Sequence, residues 1–240
     1  MVRGRVAESI VASVGAWSRR QAARLLVARA LELHVEGLEH VAASGPVILV
    51  ARHYHHLYDA AAILASVPRE VHVLIALDWL GTGPRLRVMR WLAAAARWPA
   101  VWRSGPGWRL NREGYRQSLQ LLRDGGLLLV FPEGYPTIDP EGPRERDPDG
   151  FRPFDPGFLV LAKRAGMPVP IVPVGLHYTP LPRRGWSVWL RFGEPVFDPQ
   201  LASIESSVRS LSRAPCPISA IDSREPVAQA PLRSLRPDSR

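Results

Sequence analysis

Three histidines and one aspartate fall in a single short stretch, Arg52-His53-Tyr54-His55-His56-Leu57-Tyr58-Asp59. An imidazole accepts a proton near neutral pH, and a neighbouring carboxylate fixes its tautomer and stabilises the imidazolium. Such a pair makes a hydroxyl nucleophilic. Two histidines can be the base: His53 stands directly after an apolar run, and His55 shares a helix face with Asp59 at i, i+4. A second group is Phe131-Pro132-Glu133-Gly134. Here Pro and Gly force a turn, the Gly lets a ligand approach the backbone, and Glu133 can orient a basic side chain or a substrate hydroxyl. A third is Val101-Trp102-Arg103-Ser104, whose guanidinium offers a planar fork for phosphate. The fourth, Val169-Pro170-Ile171-Val172-Pro173-Val174-Gly175, is an apolar strand that can line an acyl-binding wall. Its prolines restrict it to edge or irregular pairing.

Each group sits where a strand should end. Residues 46–51 and 127–131 are short apolar runs that read as buried strands, and residues 71–76, 100–102, 169–174 and 186–192 read as further strands. Residues 31–35 alternate and predict another strand. Helical spacing predicts helices over 59–67, 85–98, 113–123 and 157–165, with a surface loop over 135–156. Residues 8–33 read as a basic amphipathic helix carrying Trp17, of the kind that lies on a membrane or packs on the body. Strands alternating with helices predict an α/β fold with a mixed, largely parallel sheet flanked by helices. Three regions are expected: an N-terminal amphipathic helix over 1–29, a catalytic domain over 30–200, and a mostly disordered, Ser- and Pro-rich tail over 201–240.

Composition narrows the function classes. Hydrophobic residues make up 46% and charged residues 22% of the 240, which excludes wholesale disorder, a collagen and a disulfide scaffold. Cys216 is the single cysteine, so neither an internal disulfide nor a cysteine-based zinc site is possible. No apolar stretch is long enough for a spanning helix, and the N-terminus does not read as a secretory signal. The net charge is +9, and Lys163 is the only lysine among 31 basic residues. Such an excess attracts nucleic acid, an anionic membrane or a phosphorylated substrate. Trp91, Trp98, Trp102 and Trp108 lie in one Arg-rich stretch, and Trp favours membrane interfaces.

The order of these groups resembles that of the lysophosphatidic-acid acyltransferases, glycerolipid acyltransferases that act on 1-acylglycerol-3-phosphate. Val35-Glu36-Gly37-Leu38-Glu39 and Gly45 to Ala51 resemble the lead-in to that family's catalytic motif. Arg103 falls at its second block, Phe131-Pro132-Glu133-Gly134 at its third, and Gly157–Ala165 with Pro168–Val174 at its fourth. Arg191-Phe192-Gly193-Glu194-Pro195 matches its closing strand and turn. The family places four residues between His and Asp; alignment of the strand through Ala51 favours His53, with one extra residue in the turn, and leaves His55 as the rival. The usual Asn before the His is Arg52, the usual Ser two residues after it is His55, and the usual Thr or Ser after the Glu-Gly is Tyr135.

By that resemblance His53 is the general base and Asp59 orients it. Arg103, with Pro132, Glu133 and Gly134, binds the acceptor's phosphate end. The implied donor is acyl-CoA or acyl carrier protein, and the implied acceptor a lysophospholipid, in phospholipid biosynthesis. No cofactor, metal or nucleic acid is implied. An anionic membrane surface is, with the chain peripheral or monotopic on the cytoplasmic face. Two other readings use fewer of the residues. His53-Tyr54-His55 resembles the start of a metallo-β-lactamase motif, which would make His53, His55 and Asp59 the ligands of a metal-dependent hydrolase; Leu57 and Tyr58 stand where that family continues with Asp and His. A non-enzymatic basic lipid-binding protein leaves the His/Asp cluster without a role.

Overall fold

The computed structural model describes residues 2–81, 83–103, 108–139, 142, 145–182 and 185–214. The Gly/Pro loop at 104–107 and the tail over 215–240, with Cys216, lie outside them. Helix α1 (Val2–Ala30) leads directly into β1 (Leu31–Glu36), followed by β2 (Val47–Ala51), α2 (Tyr58–Ser66), β3 (Val71–Val73) and β4 (Ile75–Ala76). Next come α3 (Pro84–Ala95), β5 (Ala100–Val101), α4 (Trp108–Arg123), β6 (Leu127–Val130) and α5 (Gly157–Arg164). The described chain closes with β7 (Ile171–Pro180), β8 (Trp186–Phe192) and α6 (Leu201–Leu211). Six strands form one sheet in the order β1-β8-β7-β2-β6-β3. Every pairing in it is parallel except β7 with β8. This is the mixed α/β architecture that the alternation of elements predicts.

The central strand explains why the core forms. All five residues of β2 are buried, because helices cover both faces of the sheet. Val47, Leu49 and Ala51 face Ala62, Ile63 and Val67 on the side of α2. Ile48 and Val50 face Leu121 and Leu122 of α4, Phe158 and Leu161 of α5, and Ile204 and Val208 of α6. Outside α2, Ala23 and Val27 of α1 pack against Ala61 and Ala65, and Arg19 pairs with Glu70 at 2.5 Å.

The structure departs from the sequence reading at four places. The apolar run 71–76 is not one strand: Leu74 still donates to Leu129 of β6, but from Ile75 onward the chain pairs with β5 in a separate two-stranded sheet. The proline-bearing strand is not an edge. β7 runs between β2 and β8, with Pro173 in register with Val50. The carbonyls of Pro170 and Val174 accept from β2, whereas Ile171 and Pro173 face Val196 and Gly193 on the other side. The missing N–H of Pro173 therefore falls where the chain after β8 turns, and no ladder bond is lost.

Residues 135–156 carry no helix or strand among those described, as expected, but they are not a plain surface loop. Phe151 and Phe154 are buried, and Thr137 and Ile138 donate to the carbonyls of His53 and Tyr54 at 2.8 and 3.1 Å. Finally, residues 201–211 are the helix α6 and not the start of a loose tail. Ile204 and Val208 are fully buried, worth roughly 1.5–3 kcal/mol each, and Arg209 pairs with both Glu205 and Asp147.

Candidate active site

Parallel strands bring the sequence groups to one edge. β2, β6, β4 and β5 each end two residues before His53, Pro132, Asp78 and Arg103. The chain crosses from one side of β2 to the other between β6 and β7. In open α/β sheets the crevice outside the strand ends at such a reversal is the ligand site.

Asp59 lies in the first turn of α2, where the helix dipole favours a negative charge, and it is fully buried. Oδ2 accepts from His53 Nδ1 at 2.9 Å and from the backbone N–H groups of Tyr54 and His55 at 2.7 and 2.8 Å. Oδ1 accepts from the Tyr178 hydroxyl at 2.5 Å. The loop between strand and helix is thus wrapped around one carboxylate, which accommodates five residues between His53 and Asp59. Because a carboxylate only accepts, the proton lies on His53 Nδ1, and Nε2 is the nitrogen left to take another. The ring is stacked on Phe131 at 4.3 Å.

His55 is placed differently. Only its backbone N–H reaches Asp59; its ring lies against Tyr58, with centroids 4.2 Å apart, and burial pushes its pKa down. His56 is half exposed. The structure therefore brings His53 and Asp59 together and leaves His55 outside the pair. Among the described residues no three His, Cys, Asp or Glu side chains converge as a metal shell.

Glu133 is turned inward. Oε1 accepts from His53 N at 2.8 Å, and Oε2 accepts from Arg152 N at 3.1 Å. Burial pushes its carboxyl above the usual range, against these two donors and the nearby Arg52 charge. Its visible task is to hold the His53 backbone to the 151–155 loop, not to reach out toward an acceptor. Pro132 is buried, and its carbonyl accepts from Asp155 N at 3.0 Å. Gly134 has φ +72°, a left-handed turn that suits glycine, and this aims its carbonyl at Arg103 Nη1. Arg103 Nε bridges both oxygens of Asp78 at 3.0 Å. The guanidinium lies 3.7 Å over the Tyr135 ring. Among the described residues Asp78 and the Gly134 carbonyl are the hydrogen-bond acceptors that the fork meets.

Sequence reasoning missed three contributors. Tyr178 comes from the far end of β7, 119 residues from Asp59, and no local pattern connects them. Asp78 did leave a signal: it is the only acidic residue between Glu70 and Glu113. Asn111 of α4 holds Trp102 through both backbone groups, at 2.5 and 2.7 Å, and so sets the strand end that carries Arg103. Arg52, noted as a departure, is buried with its guanidinium 4.2 Å over Phe151.

The Tyr178 hydroxyl gives a direct test. Burial and the Asp59 charge push its pKa far up, so it stays a donor. Tyr178→Phe should leave Asp59 Oδ1 buried without a partner, at about 1–3 kcal/mol by urea unfolding. With that donor gone the carboxylate holds the His53 ring less firmly, so kcat should fall severalfold at unchanged KM. An unchanged kcat would reduce Tyr178 to a packing residue.

A family model described as Acyltransferase matches residues 32–177. Among solved structures, the chain is similar to the crystal structure of the 1-acyl-sn-glycerophosphate (LPA) acyltransferase, PlsC, from Thermotoga maritima. The TM-score is 0.57 at 22% identity, covering 88% of this chain and 81% of that one, a likeness of fold. No curated protein matches the sequence.

Proposed function

The chain belongs to the acyltransferase family, and from that premise we propose that it carries a fatty acyl group from acyl-CoA or acyl carrier protein to the free hydroxyl of a lysophospholipid such as 1-acylglycerol-3-phosphate. The observation that supports this reading is the His53–Asp59 pair, joined to Arg103 through the Glu133-Gly134 turn that both touch. In this scheme Nε2 of His53 takes the acceptor's hydroxyl proton while the oxygen attacks the thioester carbonyl. Asp59 stabilises the imidazolium. The tetrahedral intermediate collapses, the C–S bond breaks, and the imidazolium proton passes to the departing thiolate. Arg103 holds the acceptor's phosphate through the donors not engaged by Asp78 and Gly134.

The test is thiol release from acyl-CoA in the presence of 1-acylglycerol-3-phosphate. The expected result is turnover that needs both substrates and yields the diacyl product. Absence of turnover with every lysophospholipid and glycerophosphate acceptor, from either donor, would overturn the substrate assignment.

A further inference from the structure

Helix α3 is the one element whose surroundings the site does not explain. Its only buried side chain is Ala93. Val88, Trp91 and Leu92 are 57%, 69% and 45% exposed. At i, i+3 and i+4 they form one contiguous apolar stripe. At about 100° per residue, Arg85 lies on one flank of that stripe and Arg87 on the other, and both are exposed. Trp79, in the 3₁₀ turn that precedes the helix, is 63% exposed as well. From Trp79 through Arg112 the sequence holds no acidic residue.

We infer that α3 lies flat on an anionic lipid bilayer, with Val88, Trp91 and Leu92 in the headgroup–acyl boundary and Arg85 and Arg87 on lipid phosphates. Its twelve residues span ~18 Å, short of the ~30 Å hydrocarbon core. No helix among the described residues is long and apolar enough to cross a membrane. A Trp stripe between arginines is the composition of an interfacial helix. A wholly aqueous face does not expose so much contiguous apolar surface without a partner, and the one-signed flanks select an anionic one. Helix α1 also exposes Trp17 and Leu25, but these stand two turns apart and form no contiguous stripe, and Ala23 and Val27 are packed on α2. The position is also useful to the site: the same turn carries Asp78, the partner of Arg103. Docking through α3 therefore brings the Arg103 side of the site near the lipid surface.

Sedimentation of the full chain with vesicles tests this without any turnover, so its outcome is independent of the reaction. The chain should pellet with vesicles of equal parts phosphatidylglycerol and phosphatidylcholine, and stay in solution with phosphatidylcholine alone. Each arginine near an anionic surface is worth about fivefold in partitioning, so Arg85→Gln with Arg87→Gln should lose on the order of tenfold or more, together with most of the salt dependence. Trp91→Ser should lose a comparable factor. All three positions are exposed, so unchanged thermal melts should accompany these losses. Wild-type partitioning by both variants would overturn the inference. So would a wild-type chain that ignores anionic vesicles yet forms a dimer that Trp91→Ser dissolves, which would give the stripe to a second copy. A raised KM for acyl carrier protein in the Arg85/Arg87 variant, with vesicle binding intact, would give the face to an acidic protein.

Discussion

His53→Ala should lower kcat/KM by about a thousandfold, since a positioned general base contributes roughly 10²–10⁴, with little change in folding stability. The side chain is mostly buried against Phe131, and without it Asp59 keeps two backbone donors and the Tyr178 hydroxyl. His55→Ala is the paired control. Its ring does not touch Asp59 and its backbone N–H survives the substitution, so activity should stay within about threefold of wild type. Loss in His55→Ala with full activity in His53→Ala would reverse the assignment of the base. Asp59→Asn should be as damaging as His53→Ala and less well folded. The amide has one oxygen and an NH₂, whereas the site presents two backbone donors, a ring N–H and a hydroxyl. If its oxygen keeps the two backbone donors and the ring N–H, its NH₂ turns to the Tyr178 hydroxyl, which must then accept, and the charge that stabilises the imidazolium is gone. Thiol-release kinetics and urea unfolding on the three variants separate these outcomes.

The second large effect is at Arg103. Arg103→Ala leaves the largely buried Asp78 carboxylate without its partner. Breaking such a pair costs about 3 kcal/mol or more, so unfolding should shift clearly to lower urea. Arg103→Lys is the more telling change. A lysine keeps the charge, but a single ammonium cannot serve Asp78 and the Gly134 carbonyl as the fork does. The fold should survive. The acceptor's KM should rise about tenfold to a hundredfold, the worth of one or two hydrogen bonds to a charged group, while the donor's KM stays put. An unchanged acceptor KM in Arg103→Lys would make Arg103 a brace between β4 and β5 and nothing more.

Much of the fold was legible because local patterns agree with it. β2 and β6 coincide with their apolar runs within a residue, since a strand buried on both faces must be apolar throughout, and β8 coincides with its segment while burying alternate residues. α6 was assigned to the tail although Leu201, Ile204, Val208 and Leu211 have helical spacing. Its serines dilute the signal, and the burial that makes it a helix comes from the sheet. For β7 the sequence left edge or irregular pairing open for a similar reason. A proline rules out one hydrogen bond, and only the partner strand decides whether that bond was needed.

By itself the sequence determined the chemistry available: His53, His55 and Asp59 at a strand end, a Pro-Glu-Gly turn after a second strand, and an arginine after a third. Short-range composition carries that information, because turn residues and apolar runs act within a few positions. Only the tertiary structure decided which histidine meets the aspartate, that Glu133 accepts from the His53 and Arg152 backbones, and that Tyr178 and Asp78 complete the pairs. Those choices rest on contacts between strand ends far apart in the chain. Parallel pairing with β2 at the centre sets such distances, and no spacing along the chain records them.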